Sequence, residues 1–235
     1  MAFLKDFVVG SVAAGGMRER KKMKNLLLIV GALLLILPFP AQAETIQVGA
    51  GIILHLSLPD KNWVLSQQAP PFLVAQTRAQ IKSDLLAQGQ DASTERVRKI
   101  AQQRLGANEA YVFNPASKAV LTIDFSRERP GEEPPGAEDI AASSRYALGS
   151  LQSEKGVRLI SKNAGETEVR GARFAYRIEA HFTRDGKAKK FLGIVGYLRP
   201  CWFYLYYTDP LEDSRDYGDM TRILRSISLT ESGKP

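Results

Sequence analysis

Three consecutive strands between Ala172 and Thr208 limit what this chain can fold into more than any other stretch. Phe174, Tyr176, Ile178, Ala180 and Phe182 alternate with Arg173, Ala175, Arg177, Glu179 and His181, the period of two that marks a strand with one buried face. Asp185-Gly186 then turns the chain, because this dipeptide accepts positive φ at both central positions of a two-residue hairpin. The return strand is Lys190–Leu198. A second reversal at Arg199-Pro200 leads into Cys201-Trp202-Phe203-Tyr204-Leu205-Tyr206-Tyr207-Thr208, too aromatic to lie in solvent. In the last two strands Phe191, Val195 and Tyr197 oppose Leu192, Ile194 and Leu198, while Cys201, Phe203 and Leu205 oppose Trp202, Tyr204 and Tyr206. A strand apolar on both faces must be covered on both. The expected fold class is therefore α+β, a mainly antiparallel sheet covered by helices on both faces as an α/β/α sandwich.

The flanking elements agree with this. Ile46–Val48 and Ile52–Leu58 read as strands joined by Gly49-Ala50-Gly51, and Trp63-Val64-Leu65 is a further apolar patch. Pro70-Pro71 opens a helix carrying Val74, Arg78, Ile81 and Leu85 on one side, and Ser93 or Thr94 caps a second through Val97, Ile100, Ala101 and Leu105. Ala110–Phe113 and Ala119–Phe125 form a second hairpin, with Ala119, Leu121, Ile123 and Phe125 on its inner face. Arg127–Gly136, with three prolines among its glutamates, is expected to be a mobile loop. A helix near Glu138–Glu154 turns Ile140, Ser144, Ala147 and Leu151 inward. Val157–Lys162 is a strand, and Gly165 and Gly171 bracket a weaker one. Asp209-Pro210-Leu211-Glu212 combines a cap residue, proline at the first helical position and an early carboxylate, so it starts a helix along Tyr217, Met220, Ile223, Leu224 and Ile227; Ser228-Leu229 adds a short strand.

The amino terminus reads as a secretory signal peptide over residues 1–43. Arg18, Arg20, Lys21, Lys22 and Lys24 precede the apolar run Leu26–Leu37, and Ala41-Gln42-Ala43 is a small-residue cleavage site, so the cut is expected between Ala43 and Glu44. The apolar run is about a dozen residues, short of the ~20 that span a bilayer, so no permanent membrane span is expected in the mature form. Because basic residues normally open such a leader, translation is expected to start at Met17 or Met23. Residues 44–235 then form one domain. Removing the leader takes six of 32 basic and two of 25 acidic side chains, leaving 26 and 23, a net +3. The basic balance thus belongs to the leader, and nucleic acid is not an expected partner. Cys201 is the single cysteine, so no internal disulfide forms and the core must carry stability alone.

Catalytic apparatus is not visible. The sequence lacks G-x-S-x-G and H-E-x-x-H, and Gly49-Ala50-Gly51 lacks the third glycine of a dinucleotide loop. Glu132-Glu133 lies where nothing would hold the pair at a working separation. His55 and His181 have no ligand-like spacing, so no metal and no cofactor are expected; His55 reads as a satisfied, partly buried residue and His181 as a surface one. Cys201 is in phase with Phe203 and Leu205 and reads as a small buried hydrophobe. Two features suit binding. Arg170, Arg173, Arg177 and His181, with Lys189 and Lys190 across the turn, build a basic stripe for an anionic envelope component or an acidic protein, unless that charge only keeps a strand edge solvated. Trp202, Tyr204 and Tyr206 line a pocket unless helices bury them.

The Leu58-Pro59 to Trp63-Val64 segment ahead of the helices, the closing meander ending in Tyr206-Tyr207-Thr208, the acidic helix start and Ile223-Leu224-Arg225-Ser226-Ile227 together resemble the PsbP/Mog1-like α/β/α sandwiches over roughly Ile46–Leu229. The resemblance implies a scaffold for binding or assembly and carries no site residue onto this chain. The expected function is an exported, monomeric cell-envelope binding or assembly factor without catalytic activity, periplasmic if the source is a Gram-negative bacterium. The alternative is an enzyme or small-ligand-binding domain using a pocket beside residues 201–208. On the first reading the Arg173, Arg177 and His181 side is the place for function, the aromatic side being spent on the fold.

Overall fold

In the computed structural model, which describes residues 42–154, 156–209 and 214–232, ten strands and four α-helices follow one another. β1 (Gln42–Val48) and β2 (Ile52–Leu58) are joined by a single 3-10 turn, and β3 (Val64–Ser66) precedes α1 (Pro71–Ala87) and α2 (Thr94–Leu105). β4 (Ala110–Phe113), β5 (Val120–Arg127), α3 (Ala137–Ser153), β6 (Val157–Glu166), β7 (Phe174–Arg184), β8 (Lys187–Leu198), β9 (Cys201–Asp209), α4 (Ser214–Ser226) and β10 (Ser228–Glu231) complete the chain. The leader up to residue 41, with Met17 and Met23, and Pro210-Leu211-Glu212 of the last helix start, lie outside the described residues.

The meander forms as its alternation predicts. Asp185 (φ 52) and Gly186 (φ 77) take the two positive-φ positions of the hairpin, and β7 pairs with β8 from Arg184↔Lys187 to Phe174↔Tyr197. Seven strands make one antiparallel sheet in the order β3-β4-β5-β9-β8-β7-β6. β1, β2 and β10 make a second, three-stranded one.

The fold is α+β, with helices on both faces of the main sheet, but the layers are unequal. On one face α4 shares the cover with the three-stranded sheet, an arrangement that strand periodicity does not reveal. Leu54 and Leu56 of β2 and Met220, Ile223 and Leu224 of α4 pack there against Leu121, Ile123, Phe203 and Leu205. Each such buried side chain contributes roughly 1.5–3 kcal/mol. Trp63 is pinned to this layer, its indole N–H donating to Asp219 Oδ2 at 3.2 Å. On the other face α3 packs on β6, β7 and β8, burying Ile140, Leu148 and Leu151 against Ile178, Phe182, Val195 and Tyr197. That helix does not extend its cover to the full width of β9 and β5.

One expectation needs correction: no separate strand lies between Gly165 and Gly171, where Arg170 makes only an isolated bridge to Ser228, and β6 instead runs past Lys162 through Gly165 to Glu166, pairing with β7 with a register shift between Leu159 and Ser161. Consequently β7, which carries Arg173's neighbours, is an interior strand and β6 is the edge. The helical hairpin α1–α2 packs chiefly on itself through Ile81, Leu85, Val97 and Ala101, and the edge-on contact of Phe72 with Phe113, centroids 6.1 Å apart, joins it to β4. Arg78, the odd member of the α1 stripe, is exposed. Segment 127–136 forms no helix or strand past Arg127; at its start the Glu128 amide donates to the Pro200 carbonyl at 2.9 Å and the Glu128 carboxylate accepts from the Tyr197 hydroxyl, and Pro135 near its end is buried. Burial, reinforced by the bond to Glu128, pushes the Tyr197 hydroxyl up to about 12.

Candidate functional site

Where α3 stops short, the sheet lies open. Asp124 stands directly opposite Tyr204 across β5 and β9, and Thr122 opposite Tyr206. Because Ile123 and Phe125 point into the core below, alternation sends Asp124 and Thr122 up toward α3. Tyr206 in turn pairs with Gly193 on β8. A Cβ there would come within 2.8 Å of the Tyr206 ring and 2.9 Å of the Leu205 carbonyl, so only glycine lets this ring lie down on β8 and face Phe191, centroids 5.5 Å apart. These residues floor a cleft of about 560 Å³. Ser143, Ala147, Ser150 and Leu151 of α3 form one wall, Tyr146 of the same helix stands 77% exposed at the rim, and Asn108 enters from the α2–β4 connection.

The polar groups converge. Tyr204 hydrogen-bonds Ser143, and the Tyr204 and Tyr206 hydroxyls are raised by burial with the Asp124 charge adding to it. Asp124 is half-buried; its carboxyl is raised first by desolvation and then by the Glu109 charge, against a smaller lowering from a backbone hydrogen bond with Phe125. Asn108 donates to the Tyr111 hydroxyl at 3.2 Å, which donates to the Leu105 carbonyl at 2.6 Å, fixing that corner. Among the described residues no group of three or more His, Cys, Asp or Glu side chains could hold a metal ion. No helix among them is long and apolar enough to cross a membrane.

The aromatic residues anticipated as a pocket or a buried layer thus divide. Tyr204 and Tyr206 line the cleft, whereas Trp202 stacks on Tyr204 at 5° and 6.4 Å and meets Tyr197 edge-on, supporting the floor from behind. The basic residues do not form one stripe. Arg177 is half-buried, paired to Glu179 at 2.6 Å and bonded to the Tyr217 hydroxyl beneath α4. Lys190 lies over the same Tyr217 ring at 4.5 Å, while Lys189 faces the opposite side of the sheet. Arg173 and Arg170 are exposed near the far end of β7, beside Glu166 and Glu168. His181 is exposed opposite Lys190. Cys201 is 1% exposed with its thiol raised by burial, the state of an inert core cysteine. His55 bonds Thr45 and Thr230 at 3.1 and 2.9 Å across the small sheet, satisfied as expected. At the proposed cleavage point, Ala43 and Glu44 pair with Ser57 and Leu56 near the open end of β1.

Sequence reasoning passed over Asp124 and Asn108. The available signal was a carboxylate in mid-strand, in phase with Thr122 and out of phase with the inner face of Leu121, Ile123 and Phe125.

No family model matches the chain, and no curated protein matches it. Among solved structures it is similar to the cyanobacterial PsbP (CyanoP) of Synechocystis sp. PCC 6803, at 11% identity over 82% of this chain and 95% of that one, with a TM-score of 0.45. It is also similar to LpqN, involved in cell envelope biogenesis of Mycobacterium tuberculosis, at 13% identity over 82% and 92% of the two chains and the same TM-score.

Proposed function

We propose that this chain is an exported, non-catalytic binding protein whose ligand occupies the cleft between α3 and the β5–β9 pair. The observation that carries this reading is the cleft itself: an aromatic floor with Asp124, Thr122, Ser143 and Asn108 converging on it, at about 560 Å³ inside the ~300–1,000 Å³ span of small-molecule sites. A carboxylate at such a place costs stability, and binding supplies a reason to keep it. The leader supports export, and cleavage after Ala43 removes only the first two paired residues of β1. The described residues lining the cleft include no histidine, cysteine or lysine, and binding accounts for the set that is there more simply than chemistry does.

A melting-temperature screen against small metabolites tests this. A ligand at a hundredfold excess over its Kd adds about 2.7 kcal/mol, which is several degrees for a domain of this size. The expected result is such a shift in the wild type and its loss in Ala147→Trp, which fills the cleft from α3. A screen of amines, sugars and nucleotides without any shift, or a shift retained in Ala147→Trp, would remove the proposal.

A further inference from the structure

The charges around the cleft say what kind of ligand suits it. Among the described residues lining it there are two carboxylates, Asp124 and Glu154, and no lysine or arginine. Glu154 is already paired with Arg184. Asp124 has no ion-pair partner among the described residues, and it sits half-buried opposite the Tyr204 ring on a floor that otherwise holds Thr122, Phe191 and Tyr206. Resting on the binding reading above, we infer that the cleft's ligand presents an organic ammonium group, held between the Asp124 carboxylate and the faces of Tyr204 and Tyr206.

Both halves of the arrangement attract the same charge. Tyrosine rings offer a negative face to a cation within about 6 Å of the centroid, and the attraction grows when the site is drained of water. Tyr204 and Tyr206 lie 6.2 Å apart with their planes at 49°, so one group placed above Asp124 can meet both. Tyr146 at the rim supplies a third ring with room to move, being on the exposed side of α3. An anion would meet an uncompensated carboxylate and no cation. A neutral polyol would bond to Asp124 without relieving the cost of its buried charge, and an ammonium group relieves it directly.

Calorimetric titration of the full chain with choline, its uncharged isostere 3,3-dimethyl-1-butanol and methyl β-glucoside decides the matter. Choline is expected to bind at least tenfold more tightly than either neutral probe, and Asp124→Asn is expected to abolish that preference without lowering the melting temperature. Tyr204→Phe, which keeps the ring, should retain it. Equal or tighter binding of the isostere or the glucoside overturns the ammonium assignment and leaves the cleft as a ligand site. A preference for choline that survives Asp124→Asn overturns it too. No heat from any of the three probes overturns the ammonium assignment, and only a metabolite screen equally without response removes the binding reading with it.

Discussion

The two faces of β9 were built from the same kind of residue and met different fates. Cys201, Phe203, Leu205 and Tyr207 are at most 1% exposed, sealed by α4 and the small sheet. Trp202, Tyr204 and Tyr206, one residue out of phase, are only half-buried because α3 packs on β6 to β8 and leaves β9 at its margin. Apolar character on both faces of a strand therefore tells that something must lie over each, and nothing about how far it reaches. The sealed face holds the fold, and the open face, with a carboxylate set among its rings, is free to meet a ligand.

Substitutions can break this contrast. The largest effect belongs to the sealed face: Phe203→Ala is expected to cost about 3–5 kcal/mol in urea unfolding, and a cost near that of an exposed site would show that this face is not the core. Gly193→Ala comes next. Its methyl group meets the Leu205 carbonyl, which cannot yield as a side chain can, so a loss of about 1–3 kcal/mol is expected together with displacement of Tyr206 and weaker ligand binding. Tyr204→Ala should cost roughly half as much as Phe203→Ala, about 2 kcal/mol, because its ring is only half-buried. Its effect on binding should be the larger one, and a stability loss matching that of Phe203→Ala would erase the distinction between the faces.

The smallest effect has the opposite sign. Asp124 has its carboxyl raised in the folded state, so the wild type is relatively favoured in acid and loses that advantage as pH rises through the folded pKa. Asp124→Asn does not titrate, and should therefore melt higher near neutrality by no more than about 2–4 °C, the equivalent of roughly 1 kcal/mol. The gain should fade as the pH drops below the carboxylate range. A variant less stable than wild type at neutral pH would mean that Asp124 serves the fold.

Much of this architecture was legible in the residues. Alternation in Phe174–Phe182 and the Asp185-Gly186 turn fixed the meander, and Ala119, Leu121, Ile123 and Phe125 marked an inner face that the structure buries. What stayed hidden depends on neighbours distant in sequence. Arg177 looked solvent-facing in its strand, but Tyr217 of α4 lies over it. Gly165 looked like a break, but an edge strand paired on one side tolerates it. The cleft needed Asp124, Tyr204 and Ser143 from three elements, and no local pattern announces that they meet.

The register shift between Leu159 and Ser161 governs how copies of this chain can approach one another. An open strand end of a sheet is a template onto which another chain can add, and β6 displays Ile160 at 65% exposure on such an edge. The shift bends the template out of register, and exposed Arg158 and Lys162 put like charges where an identical β6 would have to lie. At the other side β3, three residues long, offers too little ladder to extend. Addition of a further strand to the seven-stranded sheet is thereby obstructed at both of its edges, even though α3 leaves part of the sheet's face uncovered.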